Sequence, residues 1–183
     1  MPSPVGHTLA GFCGYAVAQN YVGPERRGWL LVGSVTLANL ADLDFLPGIV
    51  LGDLRIFHHQ MTHSLAAVVM VGLFIGGLAH WRKAKGIWWG MLGGSLYLSH
   101  IALDLLVKDS TPPFGVQLLW PFSKAYFISP ITPFAGFNYF DPSLGVVRVV
   151  FSVHNLWTLL QEILLLAPVV WLSWYVGKKC ASR

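Results

Sequence analysis

The chain has 183 residues, enough for one domain, and is 55% hydrophobic with only 11% charged residues. A soluble domain carries about 25% charged residues, so too few charges are present to solvate a globule, and the mean hydropathy of +0.59 agrees. The formal charge of +4 is small and its basic residues are clustered, which excludes the basic stripe of a nucleic-acid-binding face.

Lipid is the solvent that tolerates such a surface. Eight Trp and an aromatic content of 14% suit a membrane protein, since Trp and Tyr favour the interface. The two cysteines, Cys13 and Cys180, stand at opposite ends of the chain and form neither a disulfide framework nor a CxxC zinc motif. The segment MPSPVGHTLAG has no basic n-region and is not read as a cleaved signal peptide.

In chain order, five apolar segments are expected as helices: about His7–Val22, Trp29–Leu40, Ser64–Ala79, Gly86–Leu106 and Val146–Val176. A full span takes roughly 20 residues. The last three meet or approach that length; the first two are short and are read as half-buried helices packed on the others. The fold class is therefore all-α, an integral membrane helical bundle of about five helices, with residues 1–183 as a single membrane-embedded domain.

Basic clusters orient it. Arg26 and Arg27, then Arg82, Lys83 and Lys85, then Lys178, Lys179 and Arg183 fall on one side if the helices alternate. By the positive-inside rule that side is the cytoplasm, so the N-terminus lies outside and the C-terminus inside. The same alternation puts His7, Asp42, Asp44, Asp53, His58, His59, His63, His100, Asp104 and His154 at or near the outer helix ends, leaving only His80 of the seven histidines on the other side. The histidines took no part in choosing the orientation, so their gathering is independent support for a site.

Ionisable residues in apolar helices are costly and functional by default. His100 and Asp104, four apart, project from one helical face and can grip one metal ion; alternatively the pair serves packing alone. Asp42 and Asp44 form a D-x-D before Pro47 and Gly48. Two carboxylates so close repel unless a cation lies between them, although aspartates also build ordinary turns. FHHQMTHSL holds three histidines in six residues. There His59 and His63 have helical spacing, His58 and His63 converge only if the chain turns, and Thr62 or Ser64 caps the following helix. A solvated histidine loop is the alternative. His7, among small residues, reads on its own as structural.

Imidazole and carboxylate donors suit zinc, and also manganese or iron. The absence of Cys ligands argues against a closed structural site. More donors are present than one four-coordinate ion needs, which points to two ions, or to one ion plus acid–base groups.

The ordered motifs GHTLAG at Gly6–Gly11, LADLD at Leu40–Asp44, HHQMTHS at His58–Ser64, SHIALD at Ser99–Asp104 and FGVQLLWPFS at Phe114–Ser123 cover the first two thirds of the chain. Together they resemble the membrane-bound metal-dependent hydrolases, also described as LexA-binding, inner-membrane-associated hydrolases. The resemblance implies metal ligation by His7, Asp42, Asp44, His58, His63, His100 and Asp104, and it ranks His58 above His59. It leaves Asp42, Asp44 and His59 as candidate acid–base residues, and it implies a bacterial or archaeal inner membrane. Two positions depart from the family pattern: His59 stands where the family has Arg, and Gln60 where it usually has Gly. If that Arg contacts an anionic substrate, the contact is altered here.

A more distant similarity to zinc-dependent phospholipase C implies phosphoester hydrolysis. A site at the membrane surface suits a lipid-linked substrate, with the bilayer as partner, and the charge pattern leads one to expect no nucleic acid. The last third carries no family residue; Glu162 and His154 are candidates from burial and chemistry. The stretch Pro112–Pro142 is read as an interfacial loop, with a lid or acyl groove as the alternative. The rival function is a metal-binding or metal-transporting membrane protein without turnover; the other is a structural protein whose polar cluster only ties helices together.

Overall fold

A computed structural model describes residues 1–51, 57–109, 113–139 and 146–181. The chain is mostly helical. In order come α1 (Pro4–Ala18), α2 (Arg27–Asn39), the short α3 (Phe45–Leu51), α4 (Leu65–Trp81), α5 (Gly86–Leu105), the short α6 (Val146–Val150) and α7 (Val153–Ala181).

Local chemistry sets the helix ends. Ser3 caps α1, its hydroxyl accepting from the N–H groups of Val5 and Gly6, and Pro4 follows it in the first turn. Ser64 caps α4 by accepting from Ala67 N at 3.2 Å. Of the two caps expected there, Ser64 fills the role; Thr62 is used elsewhere.

Two helical stretches are long and apolar enough to cross a membrane: Pro24–Gly48, of 25 residues, and Val153–Cys180, of 28. The first corrects the expectation of a short second segment. Tight turns at Pro24–Arg26 and Leu40–Asp44 extend α2 at both ends, so its helical rise continues past the apolar core of the segment. The shorter apolar α4 runs 17 residues.

Helix α5 packs against α4, α2 and α1, and α1 in turn packs against α2 and α7. The α4–α5 contact is made backbone to backbone. A Cβ at Gly90 would lie 2.8 Å from the carbonyl oxygen of Gly72, and one at Gly76 would lie 3.0 Å from that of Gly86. Close approach through small residues is how helices associate where lipid removes the hydrophobic drive between them.

The surface is inverted relative to a soluble domain. Leu73, Phe74, Trp171 and Leu172 are exposed, whereas His7, His63, His100, Asp104, Asn155, Thr158 and Glu162 are completely or almost completely buried.

The fold is not purely α-helical. Val107–Lys108 (β1) pairs in parallel with Phe134–Ala135 (β2). The reason lies at the end of α5, whose last carbonyls lack partners within the helix. Ser129 N donates to Leu105 O at 2.9 Å and Phe134 N to Leu106 O at 3.3 Å. The described part of the Pro112–Pro142 stretch is thereby tied to α5. It is tied to the histidine segment as well: Gln117 N donates to His59 O, and Leu65 N to Leu118 O, each at 2.9 Å.

The two ends of the bundle differ in chemistry. At one end the Tyr21 and Trp88 rings meet at 5.8 Å and Asn20 Nδ2 donates to Gly177 O at 3.0 Å. Arg26, Arg27, the α4–α5 turn with Arg82, Lys83 and Lys85, and Lys178 stand at that end. The histidine motifs lie at the other.

Candidate metal centre

Four elements converge at the histidine end. The start of α1 brings His7, the turn after α2 brings Asp42 and Asp44, the segment before α4 brings His58, His59 and His63, and the last turns of α5 bring His100 and Asp104.

The inner set is compact. His63 Nε2 and His100 Nε2 are 3.2 Å apart, and each lies 3.2 Å from Asp104 Oδ2. Asp42 Oδ1 is 3.4 Å from His100 Nε2 and 3.8 Å from His63 Nε2. A tetrahedral ion with bonds of about 2.0–2.1 Å separates its ligand atoms by roughly 3.3–3.4 Å. His63, His100 and Asp104 are spaced close to three corners of such a tetrahedron, with Asp42 near both imidazoles. His7 stacks on His100, with ring centroids 3.7 Å apart, and its Nε2 is 3.7 Å from Asp104 Oδ1.

The tautomers are set from outside the cluster. His100 Nδ1 donates to Ala38 O at 2.7 Å. His63 Nδ1 lies 3.2 Å from Asp44 Oδ2, its carboxylate partner. With Nδ1 occupied in both rings, each Nε2 turns a lone pair inward, the arrangement typical of metal-ligating histidines. Two such nitrogens at 3.2 Å require a shared proton or a cation between them. Among the described residues, both nitrogens of His7 and Asp104 Oδ1 are buried without a hydrogen-bond partner, and Asp104 Oδ2 and Asp42 Oδ1 have only the imidazoles of His63 and His100 beside them. Buried polar atoms left in this way are costly, and a divalent cation would satisfy those that face it. The donor set thus fits zinc chemistry.

The D-x-D aspartates divide the work. Asp42 faces the inner nitrogens. Asp44, itself buried, lies on the other side of His63, accepting from Thr62 Oγ1 at 2.7 Å and pairing with His58 Nδ1 at 2.8 Å as well as with His63. The tight turn at Leu40–Asp44 sends the two side chains to different partners.

His59 and His63 do not share a helical face as their spacing suggests. His59 has a φ of 64° and sits in a turn before the tight turn Met61–His63. Its ring nonetheless packs on His58 at 4.0 Å and near His63 at 5.1 Å. Burial pushes the His59 imidazole well below its usual range, and the neighbouring His58 adds to that. Burial would also lower His63, but hydrogen bonding to Asp104, Asp42 and Asp44 outweighs it and holds His63 well above 6.5.

Sequence reasoning did not find the roles of Thr62, the Ala38 carbonyl or Ser3. Thr62 was visible as the Thr of HHQMTHS; a backbone carbonyl leaves no signal in a sequence. Tyr97 supports the segment through a bond from its hydroxyl to Thr62 O at 2.7 Å. Glu162 is fully buried but stands apart from the cluster: it accepts from Ser3 N at 2.7 Å and from Ser3 Oγ, tying α7 to the start of α1. His154 also stands apart, bonding Gly136 O at 2.8 Å. Asp53 lies outside the described residues, as do Pro112 and Phe140 to Pro142 of the Pro112–Pro142 stretch.

Apolar helices closed at one end around buried imidazoles and carboxylates define a helical membrane protein with a polar centre. The chain belongs to the YdjM inner membrane protein family, whose model matches residues 1–180. It is similar to inner membrane protein YbcI of Escherichia coli (strain K12), at 32% identity over 185 residues that cover 93% of this chain and 98% of that protein. No solved structure matches. The bacterial inner membrane is therefore its location, as the composition and motifs led one to expect.

Proposed function

We propose that this protein is a metal-dependent hydrolase of the inner membrane, acting on a phosphoester or lipid-linked substrate at the membrane face. The observation that carries the reading is the set of inward donors: His63, His100 and Asp104 lie 3.2 Å from one another, and Asp42 lies 3.4 Å and 3.8 Å from the two imidazoles, whose outer nitrogens are already engaged. These residues, with His7 beside them, would hold a zinc-like ion; manganese and iron suit the same donors. A bound ion supplies Lewis acidity and a water of pKa near 7. The chain's own residues position that chemistry: Asp44 and Ala38 O fix the rings, and His58 and His59 line the outer side. The resemblance to metal-dependent hydrolases and, more distantly, to zinc-dependent phospholipase C supports the reaction class.

Position favours an enzyme over a metal carrier. The cluster is built at helix ends, whereas carriers bind their cargo near the bilayer midplane. The basic end of the bundle is the cytoplasmic one under the positive-inside rule, so the metal centre faces outward and meets substrate at headgroup depth.

The test is turnover of generic phosphodiester, phosphomonoester and lipid substrates by the purified protein, with and without chelator. Chelator-sensitive hydrolysis restored by added zinc supports the proposal. Absence of turnover on all of them, together with zinc flux into vesicles, replaces it with the carrier.

A further inference from the structure

We infer that the α4–α5 hairpin carries a site for an anionic phospholipid of the cytoplasmic leaflet, with an acyl chain in a glycine-lined groove and the headgroup phosphate at Lys85 and His80.

The groove has a volume of about 1020 Å³, and its lining comes entirely from α4, α5 and the turn between them. Gly72, Gly76, Gly86 and Gly90 let the two backbones touch, and the side chains they lack leave the groove open. A Cβ at Gly77, which also lines it, would meet nothing within 4 Å. Leu73, Ile87 and Met91 are exposed and form apolar walls. Along α5 the lining runs from Lys85 to Leu98, a length of about 20 Å at 1.5 Å per residue. One leaflet of a hydrocarbon core about 30 Å thick is about 15 Å deep. The groove can therefore follow an acyl chain through a whole leaflet.

Charge is confined to one end. His80 and Lys85 line the groove at the hairpin turn, both exposed, and the only other polar lining residue is Ser95. Arg82 and Lys83 stand in the same turn. No Asp or Glu occurs between Asp53 and Asp104, so no neighbour in sequence neutralises these charges. Arg82 lies over the Trp81 ring at 5.5 Å, which leaves Lys85 as the cation bordering the groove. Helix α5 starts there without a side-chain cap, so its first N–H groups and positive dipole end add to the attraction for an anion. Trp81, Trp88 and Trp89 flank the turn, as befits headgroup depth.

A basic end continued by an apolar furrow of leaflet length fits a phospholipid better than a free phosphate. Basic pockets between spanning helices on the cytoplasmic side take anionic headgroups in this way. Lipid tails give no hydrophobic drive for seating the chain; packing in the groove holds it, and the headgroup charge selects it. His80, the one histidine away from the metal centre, thereby gains a role.

The test counts lipids. Full-length protein, delipidated in detergent and mixed with equal amounts of phosphatidylglycerol and phosphatidylcholine, is examined by native mass spectrometry. The wild type should retain phosphatidylglycerol in preference. Lys85→Gln should lower that preference about fivefold, the effect of one basic charge near a headgroup. Arg26→Gln, at the same end but off the groove, should leave it unchanged. Gly77→Leu, which fills the groove, should remove retention of both lipids. Equal retention of the two lipids by the wild type overturns the site, and so does a preference that Arg26→Gln lowers as much as Lys85→Gln. If Gly77→Leu leaves lipid retention intact and instead converts a dimer to a monomer, the groove holds a second copy of the chain and the lipid site is overturned.

Discussion

Asp104→Asn removes one charge from the centre with almost no change in shape. Asp104 is buried, with Oδ2 3.2 Å from His63 Nε2 and from His100 Nε2, and Oδ1 3.7 Å from His7 Nε2. Breaking a buried charge pair by removing one partner costs about 3–5 kcal/mol. At about 1.4 kcal/mol per tenfold, zinc affinity should fall between a hundredfold and a few thousandfold. Competition with a chromophoric chelator, on protein purified in detergent, measures this directly. Stability gives an independent reading. At a free zinc concentration of 100 times the wild-type Kd, the ion stabilises the wild type by about 2.7 kcal/mol; a hundredfold weaker site gains only about 0.4 kcal/mol. The zinc-dependent rise in Tm should therefore nearly vanish. An Asn variant that binds zinc within threefold of wild type would refute the metal centre as drawn.

Without metal, a proton takes the cation's place on His63, whose folded pKa is raised well above 6.5 by its carboxylate partners against the opposing effect of burial. A raised folded pKa gives stability that is complete below pH 6.5 and lost as pH rises through the folded value. The chelated protein should melt higher at pH 6 than at pH 9; zinc affinity should run the other way and weaken toward acid, as ion and proton compete. Gly90→Ala should destabilise by about 1–3 kcal/mol, because its Cβ would lie 2.8 Å from a backbone oxygen of α4, whereas Gly77→Ala, with nothing within 4 Å, should be neutral in the same thermal assay. Reporter fusions after Lys85 and after Lys179 should both report cytoplasm; an outside signal at either would reverse the face assigned to the centre.

Much of this site is legible in the amino-acid sequence. The His100–Asp104 pair is readable because helical spacing fixes which side chains share a face, and their nitrogen and oxygen do meet at 3.2 Å. The D-x-D and the histidine run announce charge and donors in an apolar chain. Their roles are not legible. Asp42 and Asp44 are equivalent in sequence, yet a tight turn sends one inward and the other to the far side of His63. His59 has helical spacing to His63, but the chain turns there through a left-handed backbone. Glu162 stands out as ionic, while its partner Ser3 lies 159 residues away.

The sequence by itself determined the solvent and the inventory: too few charges for water, apolar segments for lipid, and a surplus of imidazoles and carboxylates on segments whose alternation gathers them at one end. These are properties of composition and short-range period, which neighbouring residues dictate. Only the tertiary structure decided which donor faces which. That choice depends on contacts between α1, the turn after α2, the segment before α4 and the end of α5. It also depends on a carbonyl at Ala38 that orients His100 from 62 residues away. Long-range packing selects one arrangement of the donors, and no local pattern encodes it.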